Sequence, residues 1–456
     1  MDNRWDTLLL DKSFRKRTQL EKFDARNPFD NDYYRIVTSA SFRRLQDKTQ
    51  VFPLEQSDYI RTRLTHSIEV SNIGRSIGLS IEKKLIEQKK LSSKHIGYIS
   101  SLLATVGLVH DIGNPPFGHF GEESIQKYFK KYFKNDNNQR LFKRNKQEIK
   151  DFEFFEGNSQ TFRILRKLCF LKDEHSLNLT FPTLAAIIKY PRSSITGNKT
   201  TDNISDKKFG YFSSEQKDYD IINKDLKINN ERHPITYLLE AADDIAYMAA
   251  DLEDGVKLGI LNYKIIREQF SEIKERDNKK LIDKFDEFYK EYSYMQDHEL
   301  EFAVTRFKIE MQSFMAKKVI NNFCDNYDKI LDGKFKTDLF KNLAVYEIRK
   351  VFKNLAKIVY LSKNITEAEL VGCKVITGLL EYYIEAAESD NFNSNGNSKE
   401  SKLYRTISSS YRYIYENNKT YSNELYNKFQ LVLDFISGMT DSYALNLYRK
   451  LSGIHN

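Results

Sequence analysis

The sequence predicts an all-α fold, with at most a small β element. Two observations carry that expectation. Seven prolines and eighteen glycines are few for 456 residues, so little interrupts long helices. Apolar side chains recur at three- and four-residue intervals, the spacing of a buried helical stripe rather than the alternation of a strand. Hydrophobic residues make up 40% and charged residues 30% of the chain, the balance of a folded globular protein. A chain of this length buries one or two substantial cores. No internal repeat and no sustained heptad is present.

The elements follow in order. Residues 1–32 are polar and mixed, apart from the short apolar patch Leu8-Leu9-Leu10. Residues 33–47 carry apolar side chains at Tyr33, Ile36, Val37, Ala40 and Leu45, which predicts an amphipathic helix. A loop passes through Gln50, Pro53 and Asp58. A second helix starts near Thr62, with His66 one turn inside and Val70, Ile73, Ile77 and Ile81 on its apolar side. Ser92 or Ser93 is a candidate cap for the next helix, which runs through the apolar stretch Ile99–Val109 into His110-Asp111. Gly113, Pro115 and Pro116 stop it. Residues 127–150, dense in Lys, Asn, Gln and Arg, are expected to form an exposed connection. Helix is expected again at 156–170 and at 183–190, the latter cut by Pro191. The polar stretch 192–232 reads as a loop insertion with a short hairpin. Pro234 opens a helix over 234–253. Beyond Tyr263 the pattern is helical, broken by a loop at 389–398. Two regions result: 1–260, holding the polar insertion, and a C-terminal helical region, 261–456, packed on it.

The net charge of +8, from 72 basic and 64 acidic residues, suits a polyanionic ligand without requiring one. Cys169, Cys324 and Cys373 are odd in number and form no CxxC pair, so neither a disulfide framework nor a zinc knuckle is expected. The N-terminus lacks a signal-peptide pattern, and the apolar runs fall short of the ~18 residues that span a bilayer. The expected location is the cytoplasm, with no membrane partner.

Four groups able to bind metal or move protons crowd the end of the Ile99–Val109 stretch: His110, Asp111, His119 and Glu122. Neighbours in a regular helix point about 100° apart, so His110 and Asp111 can share one ion only where the helix ends. A histidine nitrogen with a carboxylate oxygen suits Mn²⁺, Fe²⁺ or Zn²⁺; an ordinary helix C-terminus explains the pair equally well. His66 continues an apolar helical face, as a core histidine would, but Arg61 and Arg63 beside it suit an anion. Asp243, Tyr247 and Asp251 are spaced i, i+4, i+8 and share one face of a helix rich in alanine, which argues for close packing against a polar cavity. His119 and Glu122, three apart, form a pair suited to proton transfer, or a loop histidine beside a surface glutamate.

Together these segments resemble the HD-domain phosphohydrolase superfamily, whose pattern is His…His-Asp…Asp. The likeness is closer to the bacterial deoxyguanosinetriphosphate triphosphohydrolases. It runs through Ser39–Phe52, Arg61–Val70, His110–Glu122, Phe155–Gln160, Lys189–Pro191, Glu240–Tyr247, Asp251–Asp254 and Ile436–Tyr443, in that order. Asn114 departs from it, standing where relatives commonly carry histidine. The resemblance implies an HD helical core and metal ligands His66, His110, Asp111 and Asp243. It implies His119 as the catalytic histidine, supported by Glu122. Gln50, Arg63, Tyr247 and Asp251 would line the deoxyribose and α-phosphate region, and Asn158, Lys189 and Tyr190 the triphosphate. The implied cofactor is a divalent ion, Mn²⁺ or Mg²⁺ ahead of Fe²⁺ or Zn²⁺. The implied reaction splits a dNTP, dGTP favoured, into deoxynucleoside and inorganic triphosphate. A homo-oligomer, a hexamer by resemblance, is also implied, and single-stranded DNA is a second candidate partner. Competing readings are an HD hydrolase of another nucleotide and a DNA-binding regulatory protein. The basic stretches Lys127–Arg144 and Lys199–Lys227 are the candidate surfaces of the latter.

Overall fold

The computed structural model describes residues 4–17, 24–54, 57, 59–169, 173–295, 298–393, 395–417 and 423–454. His455 lies outside them. Helices dominate, and among the described residues there is no strand, only an isolated antiparallel bridge between Thr49 and Thr62. The all-α expectation therefore holds. No described helix is long and apolar enough to cross a membrane.

A helical pair, Arg63–Glu87 and Tyr98–Val109, forms the centre of the site-bearing half. Thr62 caps the first through a hydroxyl that accepts from Thr65 N–H. The pair crosses closely because small residues line the seam. A Cβ on Gly78 would stand 2.6 Å from Ser100 Cα, and one on Gly107 would stand 2.7 Å from Ser71 Cα. These contacts run in opposite senses along the two chains, so the helices are antiparallel. One turn beyond the seam, the same register brings His66 opposite His110.

The helix Pro234–Lys257 packs across this pair. Its alanines, Ala241, Ala242, Ala246, Ala249 and Ala250, are buried and allow close approach. Its further neighbours include the helices Glu299–Asp325 and Tyr346–Tyr360. The later helices Lys363–Ala387, Glu424–Ser437 and Asp441–Leu451 lie on the other side of the site, where Lys363–Ala387 packs against the helix Gly118–Tyr132.

Several boundaries differ from expectation. Residues 33–47 form not one helix but Pro28–Val37, a short turn Ala40–Arg43 and a 3-10 turn Arg44–Asp47. Ser39 breaks the run by capping the second piece. Ser92 precedes only a 3-10 turn, and the His110 helix begins after Gly97, whose φ of +84° suits glycine. Residues 127–150 are not an open connection. Phe129, Phe133, Phe142 and Phe152 are buried in one cluster with Phe429, with ring centroids 4.9 Å apart for Phe129–Phe152 and 5.1 Å for Phe133–Phe142. Aromatic burial outweighs the polar composition of that stretch. The helix at 183–190 is shorter, Phe181–Ala186. The insertion 192–232 holds no hairpin but a helix, Gln216–Leu226, whose Tyr219, Ile222 and Leu226 are buried.

Candidate active site

His110 is the first residue past its helix, and its ring is oriented by its own chain. Nδ1 donates to Gly107 O at 2.8 Å. A carbonyl only accepts, so Nδ1 carries the proton and the Nε2 lone pair is left facing inward. That Nε2 is buried without a hydrogen-bond partner. It lies 3.3 Å from Asp243 Oδ1 and 3.6 Å from Asp111 Oδ1. His66 Nε2 stands 3.2 Å from the same Asp243 oxygen, and the two imidazole centroids are 5.3 Å apart. His66 Nδ1 has no hydrogen-bond partner, so that ring is oriented by packing and by its contact with Asp243.

The outer oxygens of both carboxylates are held by cations. Arg63 Nη1 donates to Asp111 Oδ2. Lys189 Nζ donates to Asp243 Oδ2 at 3.2 Å. Each carboxylate is thus turned so that Oδ1 meets the histidines. The charges respond. Burial opposes ionisation of Asp111, but His110 and Arg63 outweigh it and hold its pKa down at about 2. Asp243 is likewise held well below its usual range, against burial, by His110 and Lys189. Burial works against a charge on His110, yet Asp111 and Asp243 raise its pKa.

This donor set fits a divalent cation. Donor atoms of His66, His110 and Asp111 lie within 4.8 Å of one another. Ligands bound at about 2.0–2.2 Å around one ion stand about 3.0–3.6 Å apart, which matches the contacts His66–Asp243, His110–Asp243 and His110–Asp111. The orphaned Nε2 between two carboxylates is the atom that a cation would satisfy.

A cavity of about 380 Å³ opens beside the cluster, a size typical of small-molecule sites. Asp111, Asp243, Arg63, Gln50, Tyr247 and His119 line it, together with Thr49, Phe117, Asp244 and Tyr360. Gln50 Oε1 is buried without a partner. His119 is exposed at the mouth; the cleft walls and then Lys208 lower its pKa. Glu122 is buried beneath, 3.9 Å from His119 Nδ1, and accepts from Gly157 N–H at 3.0 Å. Lys208 Nζ lies 3.4 Å from Glu122 and 2.5 Å from Glu156. Burial and then Glu122 raise the pKa of Glu156 to about 7.

Some predicted site residues stand outside the cavity lining. Asp251 is buried and accepts from Tyr360 OH at 3.1 Å, so it meets the cavity only through that tyrosine. Asn158 donates to Glu156 at 2.5 Å. The Tyr190 ring lies 5.5 Å from the Arg232 guanidinium. Sequence reasoning missed Tyr360, which ends an amphipathic helix with no mark of function. It also missed Lys208, one lysine among many in the insertion. Asp244, the neighbour of Asp243, also lines the cavity, but its Oδ2 is held by Arg349 at 2.7 Å.

Comparison with known proteins adds the ancestry. Residues 63–190 match the HD domain, and residues 340–450 match a phosphohydrolase-associated domain. A deoxyguanosinetriphosphate triphosphohydrolase-like protein of Listeria innocua serovar 6a is 41% identical, over 99% of this chain and 100% of the relative. The chain belongs to the deoxyguanosinetriphosphate triphosphohydrolase family of HD phosphohydrolases. Members of this family further off include a like protein of Synechocystis, 32% identical over 99% of both chains. A deoxyguanosinetriphosphate triphosphohydrolase of Serratia proteamaculans is 31% identical over 94% of this chain and 95% of its own. The HD family is metal-dependent, and this member, a hydrolase, carries a His/Asp cluster of the required chemistry.

Proposed function

We propose that the protein is a dNTP triphosphohydrolase that converts dGTP, and on a broader reading other dNTPs, into deoxynucleoside and inorganic triphosphate. One observation carries the reading. The buried, unpaired His110 Nε2 faces two cation-held carboxylates, Asp111 and Asp243, which themselves line a nucleotide-sized cavity. The 41% identity to the Listeria protein supports it.

His66, His110, Asp111 and Asp243 would hold the ion, with Mn²⁺ or Mg²⁺ favoured. Bound there, a divalent cation supplies Lewis acidity, which makes water a better nucleophile near neutral pH and draws charge from phosphoryl oxygens. Arg63 and Lys189 fix the two carboxylates and add positive charge where a triphosphate would lie. His119, exposed at the mouth and backed by Glu122, is the group suited to protonate the departing 5′ oxygen. Tyr247, on the cavity wall, would pack against the sugar and leave no room for a 2′ hydroxyl, while Gln50 offers its unpaired oxygen to a hydroxyl. Asp251 would act on the sugar side through Tyr360, and Asn158 and Tyr190 from behind the triphosphate.

The test is incubation with each dNTP, singly and in pairs, with Mg²⁺ or Mn²⁺, quantifying nucleoside and triphosphate. Intact triphosphate is expected; release of phosphate or pyrophosphate instead, or no turnover, refutes the reading. A cytoplasmic location and a hexameric assembly belong to the same proposal. The DNA-binding reading is weaker, because Lys127 pairs with Glu123 and both Arg140 and Arg144 pair with Asp136 on the candidate surface.

A further inference from the structure

One buried carboxylate far along the chain touches both walls of the cavity. Asp441 begins the helix Asp441–Leu451, where free N–H groups favour a negative charge. Its Oδ2 accepts from Thr49 N–H at 3.0 Å and from the Thr49 hydroxyl. Its Oδ1 accepts from Phe117 N–H at 2.9 Å. Thr49 and Phe117 both line the cavity. Thr49 precedes Gln50 and is bridged to Thr62, at the start of the helix bearing Arg63 and His66. Phe117 is followed directly by Gly118 and His119.

Phe117 is held in an uncommon conformation. Its φ is +61°, in the left-handed region that side chains disfavour, so its surroundings must impose it. Two groups from the C-terminal helices do so. Asp441 takes its N–H. Gly372 lies against its ring, where an added Cβ would stand 2.6 Å from the ring carbon Cγ. A third link repeats the pattern: buried Lys48 donates to Asn114 O at 2.6 Å and to Ser437 O at 2.8 Å.

We infer that Asp441 is a positioning residue, which sets the distance between the Thr49–Gln50 wall and the Phe117–His119 turn. It touches no reacting atom and acts through two backbone amides. The inference rests on the proposed triphosphohydrolase reading for its catalytic consequence, but not for its structural one.

The experiment compares wild type with Asp441→Asn. The amide keeps the shape but accepts on one side only, so one wall is released. A shift of about 1 Å in a catalytic group costs on the order of 100-fold. The expected result is a kcat lower by about 10- to 100-fold, with Mn²⁺ affinity unchanged, since no ligand is touched. Amide hydrogen exchange should quicken about tenfold or more in peptides covering 48–52 or 115–120, and not in the Pro234–Lys257 helix. Unchanged kcat in the folded variant overturns the inference while leaving the triphosphohydrolase reading intact. Wild type that turns over no dNTP fails that reading, and exchange then decides: equal protection at both walls overturns the inference. If Asp441→Asn does not fold, Thr49→Val takes its place; it removes the hydroxyl bond to Asp441, with a long one to Phe52 O, and keeps the amide bond, and wild-type kcat and exchange there overturn the inference.

Discussion

Replacing Asp243 by asparagine tests the metal assignment most directly. Asp243 Oδ1 faces His66 Nε2 at 3.2 Å and His110 Nε2 at 3.3 Å, and Oδ2 faces Lys189 at 3.2 Å. An asparagine will turn its oxygen to the Lys189 ammonium, because its NH₂ group cannot accept that bond. The NH₂ then points at the lone pair of His110 and fills the place a cation would take. The charge balance changes as well. Asp111 and Asp243 are offset by Arg63 and Lys189, so the neutral cluster becomes positive when one carboxylate is lost. Two unit charges about 4 Å apart interact by about 4 kcal/mol at an effective dielectric of about 20. On that scale Mn²⁺ binding weakens by ~1,000-fold. Calorimetric titration with Mn²⁺ measures this, beside Asp244→Asn as a contrast. Asp244 is tied up by Arg349, so its variant should bind the ion within about tenfold of wild type. Stoichiometric, wild-type Mn²⁺ affinity in Asp243→Asn, with affinity lost in Asp244→Asn, would refute this reasoning and transfer the ligand role.

Other outcomes follow from the same geometry. Tyr247→Ala should let GTP be hydrolysed about tenfold or more faster relative to dGTP, the scale of one group in a packed pocket; a ribonucleotide rate as poor as before would remove the steric account. Gly107→Ala places a Cβ 2.7 Å from Ser71 Cα, a backbone atom that cannot rotate away. The helices must part, costing about 1–3 kcal/mol and weakening Mn²⁺ binding as His66 leaves His110; denaturant unfolding and metal titration together check this. His233 gives the fold a pH dependence. Its Nε2 donates to Leu8 O at 2.9 Å and its Nδ1 accepts from Ile235 N–H at 3.3 Å, while burial pushes its pKa down to about 4. The unfolded chain takes up the proton first, near pH 6.5. Stability is therefore full above that pH, falls as pH drops toward 4, and loses about 3 kcal/mol in all. Urea midpoints from pH 7 to 4.5 should flatten in His233→Asn; an unchanged slope would place the dependence elsewhere.

Much of the site's raw material is visible in the sequence. The spacing of Asp243, Tyr247 and Asp251 marks one helix face, and the glycine and prolines after His110-Asp111 mark a helix end. Those are local patterns, set by 3.6 residues per turn and by residues that cannot continue a helix. The polar composition of 127–150 misled for a related reason. The three phenylalanines of that stretch, spread among charged residues, show no compact stripe, and only their meeting with Phe152 and Phe429 makes a core.

By itself, then, the sequence determined the helical class, the family pattern and which side chains could ligate or transfer protons. Tertiary structure alone decided what those side chains face. The Gly78–Ser100 and Gly107–Ser71 seam sets the register that brings His66 to His110. Arg63 and Lys189 turn the carboxylates inward. Asp441, more than three hundred residues past Phe117 (a separation of 324), joins the two cavity walls. Local periodicity constrains a residue's direction from its own helix axis; contacts between distant segments depend on how the helices cross, which no single segment encodes.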